Sequence, residues 1–202
     1  MAISRQTVHR EDVRRSNKAF YSLRDKQVQL YDIPAMNYLI SEGRGEHSIY
    51  RMYDYPDIWQ MGRFINRVKH YTVKDLGLNF SRMPMEMEWG DEPVQGIVSY
   101  RALLWIPSYI TEEMYQRTID DLRERLTTVE KSISMAKLPE RTCAQLLHQG
   151  RHDDIGFTKR RLLDEIRSLG YSPQGRMQEI YMNHPRCNPP EKLQILLRQE
   201  VE

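Results

Sequence analysis

The sequence is poor in several features that would settle a class at once. Its 202 residues hold two cysteines, Cys143 and Cys187. Two thiols build neither a disulfide framework nor a four-cysteine zinc site. The net charge is only +2, from 30 Lys and Arg against 28 Asp and Glu, which gives no electrostatic case for nucleic acid. No apolar run approaches the roughly 20 residues that cross a bilayer. The first 26 residues are basic and lack the apolar centre of a secretory signal. A cytoplasmic globular protein without membrane contact is the expected class. There is no Gly-x-Ser-x-Gly elbow, phosphate-binding glycine loop or dinucleotide fingerprint, so no cofactor is expected.

What is present is strand and helix patterning in a repeated order. Residues 27–40 form an apolar, β-branched run, with Pro34 marking an edge strand or bulge. A turn is expected at Glu42-Gly43-Arg44-Gly45. Pro56 opens a helix with Ile58, Met61, Ile65 and Val68 on one face. Residues 80–89 and 97–106 read as strands around a loop over 90–96. A helix over 111–127 follows, with Thr111 as N-cap. The pattern then recurs: a strand over 142–148, a helix over 158–169 closed by Gly170, and strands over 177–182 and 193–198.

The stretch from Tyr38 to Arg44 resembles that from Gln145 to Arg151, and Met85-Glu86-Met87 takes the place of Gln178-Glu179-Ile180. The expected fold is therefore α+β, with two strand-helix-strand-strand modules over about 27–107 and 140–202. The helix over 111–127 joins them, and residues 1–26 form a solvated basic extension. The module faces not covered by helices are expected to meet at a ligand cleft.

Period two places Glu179 and Tyr181 on one face of their strand, with Ile180 and Met182 on the other against a helix. A carboxylate facing a partly enclosed cleft resists ionisation through desolvation unless a cation or hydrogen bonds compensate, so Glu179 is expected to attract an organic cation or act as a general base. Glu86 is its repeat counterpart. The same parity puts Trp89 on the face opposite Glu86 and Glu88. Twelve Tyr and three Trp against four Phe suit an adaptable, cation-tolerant surface. Trp89, Trp105 and Tyr38 join the candidate ligand-binding set, whereas Trp59 is expected in the core. His148 and His152 lack a third ligand, so no metal site is expected. Cys143 reads as an inert core thiol and Cys187 as a loop thiol.

Four segments carry a family resemblance. They are Asp32-Ile33-Pro34-Ala35-Met36-Asn37-Tyr38-Leu39 with Glu42-Gly43-Arg44-Gly45; Cys143 to Gly150 with Asp153-Asp154; Glu179-Ile180-Tyr181-Met182-Asn183-His184-Pro185-Arg186; and Trp105-Ile106-Pro107 to Met114. The chain resembles stand-alone proteins of the GyrI-like small-molecule-binding domain family over about 27–201. The resemblance implies tandem modules around a cleft for small aromatic or cationic molecules, with Glu179 facing the ligand and Tyr181 beside it. Some stand-alone members hydrolyse cyclopropane-containing DNA-alkylating compounds. That activity would carry over to Glu179 as general base, with Trp89 and Trp105 as aromatic partners. One Trp, Trp89, stands where members of this subgroup often show a pair. A protein partner contacted through a sheet edge is the remaining reading.

Overall fold

Alternating strands and three amphipathic helices account for most of the chain. The computed structural model describes residues 8–12, 15, 17–21, 23–24, 26–90, 95–125 and 133–202. Ten strands lie among them: β1 His9–Glu11, β2 Gln29–Ile33, β3 Met36–Glu46, β4 Leu78–Phe80, β5 Glu86–Trp89, β6 Ile97–Trp105, β7 Ser134–Leu138, β8 Arg141–Gln149, β9 Pro173–Tyr181 and β10 Gln194–Val201. The helices are α1 Pro56–Tyr71, α2 Glu112–Arg125 and α3 Ile155–Ser168. Most of the loop expected over 90–96 and the end of the linking helix lie outside the described residues. None of the described helices is long and apolar enough to cross a membrane.

Eight strands form one antiparallel sheet in the order β2-β8-β10-β9-β5-β6-β3-β7. The expected duplication is visible in it. β3-α1-β5-β6 and β8-α3-β9-β10 share one element order, and they meet edge to edge where β5 pairs with β9. The outermost strands are exchanged between the modules: β2 directly precedes β3 but pairs with β8, and β7 directly precedes β8 but pairs with β3. Pro34 divides the run read as one strand, since its missing N–H and fixed φ end β2 before β3 begins.

These short connections force the sheet to curl. Ile33 and Met36 are three Cα steps apart, at most about 11 Å. Their strands stand six places apart in the sheet, about 29 Å if it were flat. Leu138 and Arg141 impose the same constraint from the other edge. The curled sheet therefore has a helix-covered outer face and an enclosed inner face. On the outer face Leu39, Met87, Leu104 and Leu197 pack with Phe64 and Val68 of α1 and Leu162 and Ile166 of α3. On the inner face Tyr38, Ile40, Leu103, Trp105, Ile180 and Leu196 bury one another without a helix.

Several expectations are corrected here. The modules continue one sheet through β5 and β9, and their uncovered faces meet inside its curl as a hydrophobic core; both helices lie on Glu179's side rather than against Ile180 and Met182. No turn occurs at Glu42–Gly45, because β3 runs through it. Gly43 and Gly45 instead clear space for the rings of Tyr100 and Tyr55, which stack 5.2 Å apart; a Cβ at either glycine would collide with them. Trp59 is 50% exposed rather than in the core, and Arg63 lies over its ring. The N-terminal segment is not simply solvated: β1 pairs with β4, and Tyr21 is buried in the inner core.

The start of α1 is fixed by a buried carboxylate. Asp57 accepts hydrogen bonds from Ser41 Oγ at 2.6 Å and Tyr100 Oη at 2.7 Å. A negative charge in the first turn also suits the helix dipole. This ties α1 to β3 and β6, and so sets the outer wall beside the candidate site.

Candidate functional site

Sheet register divides the candidate residues into two groups. Across β5 and β9, Met87 stands opposite Glu179 and Glu86 opposite Ile180. Cross-strand partners share a face, so Glu179 and Glu86 point to opposite sides of the sheet. The repeat alignment that paired them is offset by one residue in space. Glu179, Tyr181 and Trp89 come together on the outer face. Glu86, Tyr38 and Trp105 lie inside the curled sheet, away from them.

The inner group is a sealed polar knot. Arg198 Nη1 lies 3.4 Å from Glu86 Oε2, and Tyr21 Oη donates to Glu86 Oε1 at 2.9 Å. Arg198 also donates to the Phe20 carbonyl at 2.9 Å and lies over the Tyr21 ring. Burial pushes the Glu86 carboxyl above its ordinary value, while the Glu86 charge helps keep Arg198 protonated despite its burial. Burial, with Glu86 nearby, pushes the Tyr38 phenol up to about 12.

The outer group centres on Glu179, whose exposure is 0%. Tyr181 Oη donates to Glu179 Oε2 at 2.8 Å, and Trp89 Nε1 donates to Tyr181 Oη at 3.1 Å. Lys159 Nζ, one turn into α3, lies 2.7 Å from Oε1. His152 Nε2, from the turn before α3, lies 3.0 Å from Oε2. A carboxylate only accepts, so this imidazole nitrogen carries the hydrogen. His47, just after β3, tilts against Trp89 with ring centroids 4.7 Å apart and meets His152 edge-on at 5.8 Å. Burial pushes the His47 imidazole below its ordinary value, against the pull of Glu179.

Sequence reasoning missed His47 and Lys159, because neither belongs to a local motif. It also paired His152 with the wrong histidine. His148 is occupied elsewhere, with Nδ1 at 2.8 Å from Thr158 Oγ1 and Nε2 at 2.9 Å from the Arg151 carbonyl. Cys143 is buried with a raised thiol pKa, caused first by desolvation, and Cys187 is exposed.

The electrostatics of Glu179 are those of a compensated carboxylate rather than a desolvated one. Burial alone would raise its pKa, but the His152 hydrogen bond and the Lys159 charge hold it down to about 2. The group is an ionised carboxylate at neutral pH and a weak base. A depressed carboxyl stabilises the fold above its ordinary value of 4.5 and loses that contribution as pH falls toward about 2. The full effect is about 3 kcal/mol. Urea unfolding at stepped pH should show wild type losing stability through this window more steeply than Glu179→Gln; identical slopes would refute the assignment.

A cavity of about 280 Å³ adjoins this network where the modules meet. Ile58 of α1, Met83, Met85, Tyr181, Tyr53 and His184 line it, and the last two stack 4.2 Å apart. Arg186 pairs with Asp54 beside that stack, tying the segment after β9 to the first module. Larger surface depressions, such as one of about 640 Å³ near Phe157 and Arg161, do not include Glu179 or its hydrogen-bond partners.

No family model matches the chain, and no curated protein matches it in sequence. Solved structures match in three dimensions. The chain shares its fold with a hydrolase from Listeria innocua. The TM-score is 0.83 at 20% identity, covering 96% of this chain and 100% of that one. An uncharacterised conserved protein from Listeria innocua gives 0.82 at 20% identity, covering 95% and 99%. The EcmrR C-terminal domain gives 0.50 at 14% identity, covering 87% and 97%. These likenesses are consistent with a GyrI-like fold, as the sequence motifs imply.

Proposed function

We propose that the chain binds a small planar aromatic molecule, in the GyrI-like manner, in the cavity floored by Tyr181. The observation that carries this reading is the hydrogen-bonded line from Trp89 through Tyr181 to the buried Glu179 carboxylate. Tyr181 joins the cavity wall to that charge. Tyr53, His184 and the methionines offer flat and adaptable apolar surface. Lys159 already compensates Glu179, so a cationic ligand must displace its ammonium, whereas a neutral aromatic need not.

The test is a fluorescence titration with a cationic rhodamine. Wild type should bind saturably, and Glu179→Gln should bind about 10-fold more weakly, a loss of about 1.4 kcal/mol. Equal affinities would place the ligand elsewhere. No binding by wild type would favour a protein partner instead.

Hydrolysis of a strained electrophilic ring is the second reading, and one observation favours it. The His152–Glu179 pair orients an imidazole whose second nitrogen faces away from the carboxylate. With Glu179 held near pKa 2, His152 would take the proton as water adds to the ring, then return it to the opened-ring product. Catalytic turnover lost in His152→Ala would separate this reading from stoichiometric capture.

A further inference from the structure

The connection between long strand and helix contributes one histidine in each module: His47 after β3, and His152 between β8 and α3. Glu179 of β9 stands between them. The three ligand atoms these residues offer all lie within 4.8 Å of one another. We infer that His47, His152 and Glu179 form a divalent transition-metal site, distinct in chemistry from the aromatic cavity.

The donor set defines the ion. Two imidazoles and one carboxylate, with no thiolate, suit zinc or its first-row neighbours cobalt(II), nickel(II) and iron(II). Bonds of about 2.1 Å at tetrahedral angles require donor atoms about 3.4 Å apart. His152 Nε2 and Glu179 Oε2 are already 3.0 Å apart. Only the exposed His47 ring needs to swing inward, and it pivots against Trp89. Three protein ligands leave a fourth position for water, as in open rather than purely structural sites.

The surrounding bonds support the same arrangement. A carboxylate oxygen has two lone pairs. On Oε2 one accepts from Tyr181, and the other faces His152. The metal takes the place of the His152 hydrogen, which moves from Nε2 to Nδ1. Tyr181, itself held by Trp89, is then the outer partner that orients the ligating carboxylate. Lys159 occupies Oε1 and makes the carboxylate monodentate. Its positive charge opposes the incoming ion, so the site is labile rather than a structural staple.

Cobalt(II) titration of the purified full chain tests this directly, read by visible ligand-field absorption and by equilibrium dialysis. One ion per chain is expected. His47→Ala should lose about 100-fold in affinity, and its exposed position leaves the fold intact. His152→Ala should lose at least as much, and Tyr181→Phe about 10-fold. Lys159→Met should bind about 10-fold more tightly. Absence of stoichiometric cobalt or zinc in wild type overturns the inference. So does binding that survives both histidine substitutions, which would mark surface histidines as the ligands. No organic ligand enters this experiment, so its result is independent of the rhodamine titration.

Discussion

Arg198→Met should destabilise the protein by about 3–5 kcal/mol, measured as a fall in the urea midpoint at unchanged slope. Arg198 lies inside the curled sheet and is 1% exposed. It faces Glu86 at 3.4 Å, the Phe20 carbonyl at 2.9 Å and the ring of Tyr21. Methionine fills similar volume, so the loss is mainly electrostatic. It takes from Glu86, 0% exposed, its strongest counter-charge and removes the donor to the Phe20 carbonyl in the N-terminal segment. Against a total stability of roughly 5–15 kcal/mol this is a large fraction. The double variant Arg198→Met with Glu86→Leu should recover most of the loss, because replacing both charges removes the stranded carboxylate. A single-variant cost below about 1 kcal/mol would show that the pair is not a buried, charged contact.

Lys159→Met should raise affinity for an aromatic cation about 10-fold. The ammonium at 2.7 Å from Glu179 is a built-in counter-ion on a side chain reaching solvent along α3. Removing it leaves the carboxylate with two donors, His152 and Tyr181, and an unmet charge. The same change should weaken the depression of the Glu179 pKa and shift acid unfolding to higher pH, since less of the stabilisation between pH 4.5 and 2 remains. The two measurements check each other. A fall in rhodamine affinity would mean that Lys159 contacts the ligand itself instead of competing with it.

Local physics made much of the fold legible. The spacing of Ile58, Met61, Ile65 and Val68, with Pro56 ahead of them, led to α1. Thr111 caps α2 as read, its Oγ1 accepting from the Met114 N–H at 3.2 Å. Gly170, with φ at +86, follows α3 as a left-handed stop. The duplicated element order also survives in the sheet. Parity along β9 correctly put Tyr181 beside Glu179, and parity along β5 separated Trp89 from Glu86.

The errors lie where strands meet. A one-residue difference in register moves a side chain through the sheet, and pairing is a long-range property that local similarity does not carry. That is why Glu86 looked equivalent to Glu179 but sits behind it. Glycines spaced as a turn proved to be spaces for Tyr55 and Tyr100, because the rings that need them arrive from distant elements.

The sequence by itself determined the three helices, the strands that carry the repeat and the facing of Glu179 with Tyr181, since helix and strand periods are local; β1, β7 and the division of 80–89 into β4 and β5 were not legible in it. Only the tertiary structure decided which groups surround that carboxylate. His47, Lys159 and His152 reach Glu179 from separate connections and a helix, and the His152 hydrogen bond with the Lys159 charge reverses the pKa shift that burial alone would cause. Desolvation can be anticipated from a strand facing the core. Compensation depends on distances of about 3 Å between residues far apart in the chain, and those are set by the curl of the sheet.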